Sequence, residues 1–189
     1  MTPIVLSPPA SEPVTLAQAR AFLKLDDTSE DELLGSLITA ARLMVEAASG
    51  RILIDQSWRL VFDRWPADGA IRLPLSPVSA ISAARVYDVL GVAQPVAEGS
   101  LVLDAACDPP VMRTVGELPE IGRQRGAIEI DLVAGFGQQP DAVPAPLRQA
   151  VLRLAARWFE QRGDVASRDA EVLPKDIALL IAPYRRARL

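Results

Sequence analysis

Between Gly126 and Arg162 a single segment dictates how the rest of the chain can be arranged. Residues 126–137, GAIEIDLVAGFG, alternate apolar and polar side chains between bounding glycines; a proline-rich turn, QQPDAVPAP, follows, and then LRQAVLRLAARWFEQR repeats its apolar residues at helical spacing. Strict alternation specifies a half-buried strand, and an i, i+3, i+4 stripe specifies an amphipathic helix. A strand that hands the chain to a long helix through a tight turn demands a mixed fold, with one apolar face of each element turned to a core.

The periodicity elsewhere completes that fold. Thr15 and Gln18 form a capping-box pattern, predicting a short helix over about 15–25 with Leu16, Ala19, Phe22 and Leu23 on its apolar face. Ser29 and Glu32 read as a second box, opening a helix over about 30–49. There Leu33, Leu34, Leu37, Ile38, Ala41, Met44, Val45 and Ala48 make the stripe, Glu30, Asp31 and Glu32 suit the positive end of the helix dipole, and Gly50 is the stop.

From Arg51 the period changes to two, with Trp58, Leu60 and Phe62 on one face and Ser57, Arg59, Val61 and Asp63 on the other. Further strands are expected near 70–74, 80–88, 100–104 and 127–134, separated by proline and glycine breaks. No helix long enough for parallel crossovers interrupts them, so the expectation is an antiparallel sandwich or curled sheet. The third main helix, about 145–162, carries Pro146 in its first turn, where a missing N–H costs little, and is ended by Gly163; a last short helix near 175–182 is stopped by Pro183.

The expected fold class is therefore α+β: a helical bundle of two N-terminal helices, the long helix near 145–162 and a short C-terminal helix, with an antiparallel β-rich insertion. In domain terms, residues 1–13 read as an extended arm, since Pro3, Pro8, Pro9 and Pro13 remove donors and favour extended backbone, and this arm is expected to order only against a partner. Residues 14–50 and 138–183 form the helical core, 51–137 the β insertion, and 184–189 a basic tail.

The chain of 189 residues has no histidine, which removes the imidazole that most general acid-base and nucleophilic mechanisms use. A lone Cys107 excludes an intramolecular disulfide, fits a reducing cytosol and cannot build a zinc site; it reads as a small buried or half-buried thiol. No apolar run approaches the roughly 20 residues that cross a bilayer, so no membrane association is expected, and MTPIVLSPPASEP lacks the features of a secretory signal. The net charge of −4 argues against phosphate-neutralising nucleic-acid binding, although Lys175, Arg185, Arg186 and Arg188 make the C-terminus cationic.

Several residue groups invite sharper readings. Gly135-Phe136-Gly137 lacks the lysine and hydroxyl residue of a phosphate loop and reads as a turn. Glu129 and Asp131 share one strand face, where an acid-base pair or a channel-facing acidic patch could stand, but alternation with Ile128, Ile130 and Leu132 makes a solvated strand face the simpler reading. Trp58, Trp65 and Trp158 lie at the apolar period of their elements and read as core. No catalytic, metal or cofactor residues are assigned.

The order of Val14-Thr15-Leu16-Ala17-Gln18-Ala19-Arg20, Asp31-Glu32-Leu33-Leu34 through Gly50-Arg51, Leu73-Pro74-Leu75-Ser76-Pro77-Val78, Gly126-Ala127-Ile128-Glu129-Ile130 to Ala134-Gly135-Phe136-Gly137, Val143-Pro144-Ala145-Pro146-Leu147 and Ala182-Pro183-Tyr184-Arg185 resembles the head-tail connector (adaptor) proteins of tailed phages and phage-derived particles. The resemblance implies a ring of this chain, usually twelve copies, beneath the portal protein of a DNA-filled capsid, with the next tail-side connector (stopper) below it. It further implies a virion component made in the bacterial cytoplasm, of an infectious phage or a gene transfer agent. In that family the C-terminal segment commonly reaches the portal, which would assign docking to Tyr184, Arg185, Arg186, Arg188 and Leu189. Twelve copies at −4 would carry −48, a charge that repels a passing duplex and lets it slide without specific binding. The alternative from another class is a cytosolic module holding a small ligand or peptide on the β region, which would require a concave apolar pocket. A weaker third reading is a carboxylate hydrolase using a divalent metal, which would require converging acids.

Overall fold

A computed structural model describes residues 1–161 and 173–185. The protein is α+β and folds as two units: a β unit, residues 1–10 and 55–136, and a helical unit, residues 11–54 and from 137 onward.

In the helical unit α1 (Leu16–Leu23) begins as the capping pattern predicts: the Thr15 hydroxyl accepts from the Gln18 backbone N–H at 3.2 Å, and the Gln18 side chain accepts from the Thr15 N–H at 2.9 Å. The second box does not form. Helix α2 (Asp31–Ser49) takes Glu30 as its cap residue with no side-chain cap bond, because the Asp27 carboxylate two residues upstream captures both the N–H and the hydroxyl of Ser29, at 3.0 and 2.6 Å. Gly50 closes α2 in the left-handed conformation, its N–H donating to the Glu46 carbonyl.

Helix α3 (Ala145–Glu160) packs against α1, α2 and α4 (Lys175–Ile181) through Leu147, Ala150, Val151, Leu154, Ala155 and Phe159, all buried. Each large apolar side chain removed from water here contributes about 1.5–3 kcal/mol. The stop read at Gly163 lies outside the described residues.

Sequence periodicity did not reveal a buried polar network on α2. Arg42, 5 % exposed, donates to Glu12 at 2.8 Å and to Glu46 at 3.0 Å; Glu46 also accepts the Leu53 N–H at 2.9 Å, and Thr39 donates to Glu12 at 2.9 Å. Two salt bridges that share Arg42, together with the Leu53 N–H bond to Glu46, thus tie the segments before α1 and after α2 to α2. Burial pushes the Glu46 carboxyl above its usual range, against the bonds from Leu53 and Arg42.

The β unit is antiparallel throughout. A five-stranded sheet runs in the order β1 (Thr2–Ser7), β2 (Gln56–Phe62), β8 (Ile128–Ala134), β4 (Val78–Tyr87), β5 (Ala93–Pro95), and a three-stranded sheet in the order β3 (Ala70–Arg72), β7 (Val111–Thr114), β6 (Leu101–Asp104). Central β8 buries Ile128, Ile130, Leu132 and Ala134, joined in the core by Leu60, Val86, Ile71 and Met112. Its end turns at Gly135, whose φ of 151° and contact with the Asp55 backbone exclude any side chain, in keeping with the turn reading of Gly135-Phe136-Gly137.

The N-terminal residues depart from the sequence expectation. Rather than an arm awaiting a partner, Thr2–Ser7 is a strand of this chain's own sheet, with Pro3 opposite Leu60 and Val5 opposite Trp58. Proline is tolerated there because β1 is an edge strand. The three tryptophans are half-buried rather than core, and Cys107 is exposed rather than sheltered.

Candidate assembly surfaces

The polar face of the five-stranded sheet gathers four charges. Arg59 stands directly opposite Asp131, and Arg85 directly opposite Glu129, in the registers of β2 and β4 against β8. Arg59 makes a two-pronged bond to Asp131, Nε–Oδ1 at 2.6 Å and Nη2–Oδ2 at 3.0 Å, and Arg85 also donates to Asp131. Glu129 completes the cluster 3.1 Å from Arg59 Nη1 and 3.5 Å from Arg85 Nε, close enough for Coulomb attraction but without hydrogen-bond alignment to its Oε2. The bond from Arg59 holds Asp131 below the usual carboxylate range despite the opposing effect of burial.

The solvated strand face expected for Glu129 and Asp131 is thus corrected to a compact ion-pair cluster. Both carboxylates keep only a small exposed fraction, and two guanidiniums neutralise them. Asp131, held ionised by the Arg59 bond, is a poor proton acceptor, and the arrangement suits structural tethering of three strands rather than acid-base chemistry.

Cys107 is equally unsuited to nucleophilic attack. Its thiol donates to the Asp104 carboxylate at 3.1 Å, and that bond raises its pKa. Among the described residues no three His, Cys, Asp or Glu side chains converge to hold a metal. An open cleft of about 670 Å³ in the β unit is lined by Asp63, Arg64, Ile121, Arg123, Gln124 and Arg125, a charged rather than apolar wall. There Arg123 stacks on the Tyr87 ring at 4.3 Å and donates to the Arg125 and Gly126 carbonyls.

Of the five residues assigned to docking, two are described. The Tyr184 carbonyl accepts from Arg51 Nε at 2.8 Å, fixing the end of the last helical turn to the residue that follows the Gly50 cap of α2, and Arg185 is exposed. Arg186, Arg188 and Leu189 lie outside the described residues. Charge divides unevenly between the units: residues 1–10 and 55–136 hold seven basic against eleven acidic side chains, the whole net −4, while the rest of the chain balances thirteen against thirteen.

Comparison with known proteins places these features in context. The family model described as phage gp6-like head-tail connector protein matches residues 13–88. A search of curated proteins finds no match. Among solved structures, the chain is similar to a chain of the neck of an empty gene transfer agent particle computed with C6 symmetry, at 32 % identity over 100 % of this chain and 97 % of that one, with a TM-score of 0.82. A chain from the virion of a native gene transfer agent particle is 31 % identical over the same shares, with a TM-score of 0.84. The neck of the native particle computed with C12 symmetry supplies a third, at 31 % identity, again over 100 % and 97 %, and a TM-score of 0.79.

Proposed function

Because this chain belongs to the phage gp6-like head-tail connector family, we propose that it forms a twelve-copy ring in the neck of a gene transfer agent particle, joining the portal to the tail and letting DNA through. The observation that carries this reading is the end-to-end likeness to neck chains, which extends past the family model's residues 13–88 to the whole β unit. A likeness confined to residues 13–88 would have left residues 89–136 free for another task.

In this reading the chain works mechanically and makes or breaks no bond. Its partners are further copies of itself, the portal protein on the capsid side and a stopper-type connector on the tail side. Tyr184, Arg185, Arg186, Arg188 and Leu189 dock the portal, pairing guanidiniums with acids and burying the tyrosine and terminal leucine. A net negative ring attracts no phosphates, so DNA slides past without being held. No helix among the described residues is long and apolar enough to cross a membrane. The rival reading, a ligand-binding module, gains nothing from the charged, open cleft at Arg123.

Deleting the gene tests the assignment. The expected product is capsids that package DNA but carry no tail, with gene delivery reduced to background and restored by the gene supplied in trans. Tailed particles that deliver DNA normally in its absence would refute the connector role.

A further inference from the structure

A ring of identical copies cannot be closed with a single self-complementary patch. It needs two different surfaces on each copy, arranged head to tail. The five-stranded sheet carries two such surfaces at its opposite ends, and both share features that an edge exposed to solvent ordinarily avoids.

At one end lies β1. All six of its residues are exposed although β2 pairs with it, and Ile4, Val5 and Leu6 present apolar side chains on both faces at 45–48 % exposure. Its outer edge pairs with no strand among the described residues. Residues 1–11 contain no charged side chain, so the strand lacks the lysines and glutamates that ordinarily keep edge strands apart.

At the other end the β4–β5 hairpin holds out Val89 and Leu90, 82 % and 84 % exposed, with Val92 beside them at 53 %. This turn is built to be stiff. The Asp88 carboxylate accepts the N–H groups of Leu90 and Val92, each at 2.9 Å, and the Gln94 amide at 3.2 Å; Gly91 takes a left-handed φ of 78°, and Gly122 lies so close to the Asp88–Val89 backbone that no side chain fits between. Residues 89–97 are also uncharged. A rigid loop that keeps two large apolar side chains in water is pre-organised for burial in a partner.

Resting on the connector reading above, we propose that the β4–β5 hairpin end of one copy packs against the β1 edge of the next, so that the five-stranded sheets form a continuous belt around the ring. The second copy is the occupant favoured by the geometry: the two uncharged apolar surfaces match in chemistry, differ in shape, and lie at opposite ends of one sheet, as a closed head-to-tail ring requires. Strand addition at β1 supplies backbone hydrogen bonds, and the hairpin's Val89 and Leu90 supply the apolar anchor.

Cross-linking within assembled particles tests this directly. In a Cys107→Ser background, Leu6→Cys and Leu90→Cys are introduced together and singly, particles are purified, and a short bismaleimide is applied. The double variant is expected to give a covalent ladder continuing past the dimer, and neither single variant is expected to give more than monomer. Val5→Cys with Val92→Cys provides a second pair at independent positions. Particles that contain the protein yet give no ladder with either pair, or dimers from a single cysteine, would overturn the head-to-tail belt while leaving the connector role standing. Absence of the wild-type protein from the particles would overturn both.

Discussion

Asp131→Ala is expected to destabilise the β unit by about 3 kcal/mol, the lower end of what breaking a buried ion pair costs, because Arg59 and Arg85 each retain some solvent. For a chain of this size that corresponds to a fall in Tm of about 10 °C. Removing the carboxylate loses the two-pronged bond from Arg59 and the bond from Arg85, and it leaves two guanidiniums beside each other with only Glu129 between them. The strands tied by this cluster, β2, β8 and β4, are the middle of the five-stranded sheet, so the loss should spread through the unit rather than fray one edge.

The same residue predicts a pH dependence of definite sign. Asp131 is held below the usual carboxylate range by Arg59, so its contribution to stability is present above about pH 4 and is lost as pH falls through the lowered folded value. Glu46, raised by burial, acts in the opposite direction: it favours the fold in its protonated form, and that contribution is lost as pH rises from the ordinary carboxylate range through the raised folded value. Comparing wild type with Asp131→Asn by denaturant melts cancels Glu46 and isolates Asp131. The gap between the two proteins should be full near neutrality and shrink below pH 4. A gap independent of pH would place the stabilisation in packing rather than in the ion pairs.

Removing residues 185–189 is expected to reduce capture by the portal at least about tenfold while shifting unfolding by less than about 1 kcal/mol. Arg185 is exposed, and cutting after Tyr184 turns its carbonyl into a terminal carboxylate that can still accept from Arg51, so among the described bonds the one lost is that from the Arg185 N–H to the Ala182 carbonyl. A longer truncation, 184–189, also removes the Arg51 bond and the docking tyrosine, and should cost slightly more stability and lower capture further. Undiminished capture of the 1–184 protein in a reconstituted portal pull-down would contradict the assignment of Arg185, Arg186, Arg188 and Leu189.

The helices were legible because their signals are local. The Thr15 and Gln18 box, the stripe from Leu34 to Val45 and Pro146 in a first turn each act within a few residues of themselves. Strand β1 was not legible, since Pro3, Pro8 and Pro9 argue for an arm when read alone, and only pairing with β2, some fifty residues away, reveals an edge strand that tolerates proline. Strand β5, three residues ending in Pro95, is too short to show a period. Arg42 and Glu46 stand four residues apart, a spacing that signals an ion pair, but nothing local tells that the pair is buried or that Glu12 and the Leu53 N–H complete it.

The ion-pair cluster lay halfway between. Alternation placed Arg59 on the polar face of its strand and Glu129 and Asp131 on that of theirs, but the register that sets Arg59 against Asp131 and Arg85 against Glu129 is a property of the sheet. Knowing that register converts a row of apparently solvated charges into a tether. It also shows how the unit that carries the chain's entire net negative charge holds Arg59 and Arg85 internally paired.

The most direct test of the account is a reconstruction of the neck in particles carrying this protein with a small tag at its C-terminus. The predicted result is twelve copies in one closed ring, with the tagged ends at the portal side and DNA passing through the centre without fixed contacts. Density for this chain anywhere other than the junction of capsid and tail, or no closed ring there, would contradict it.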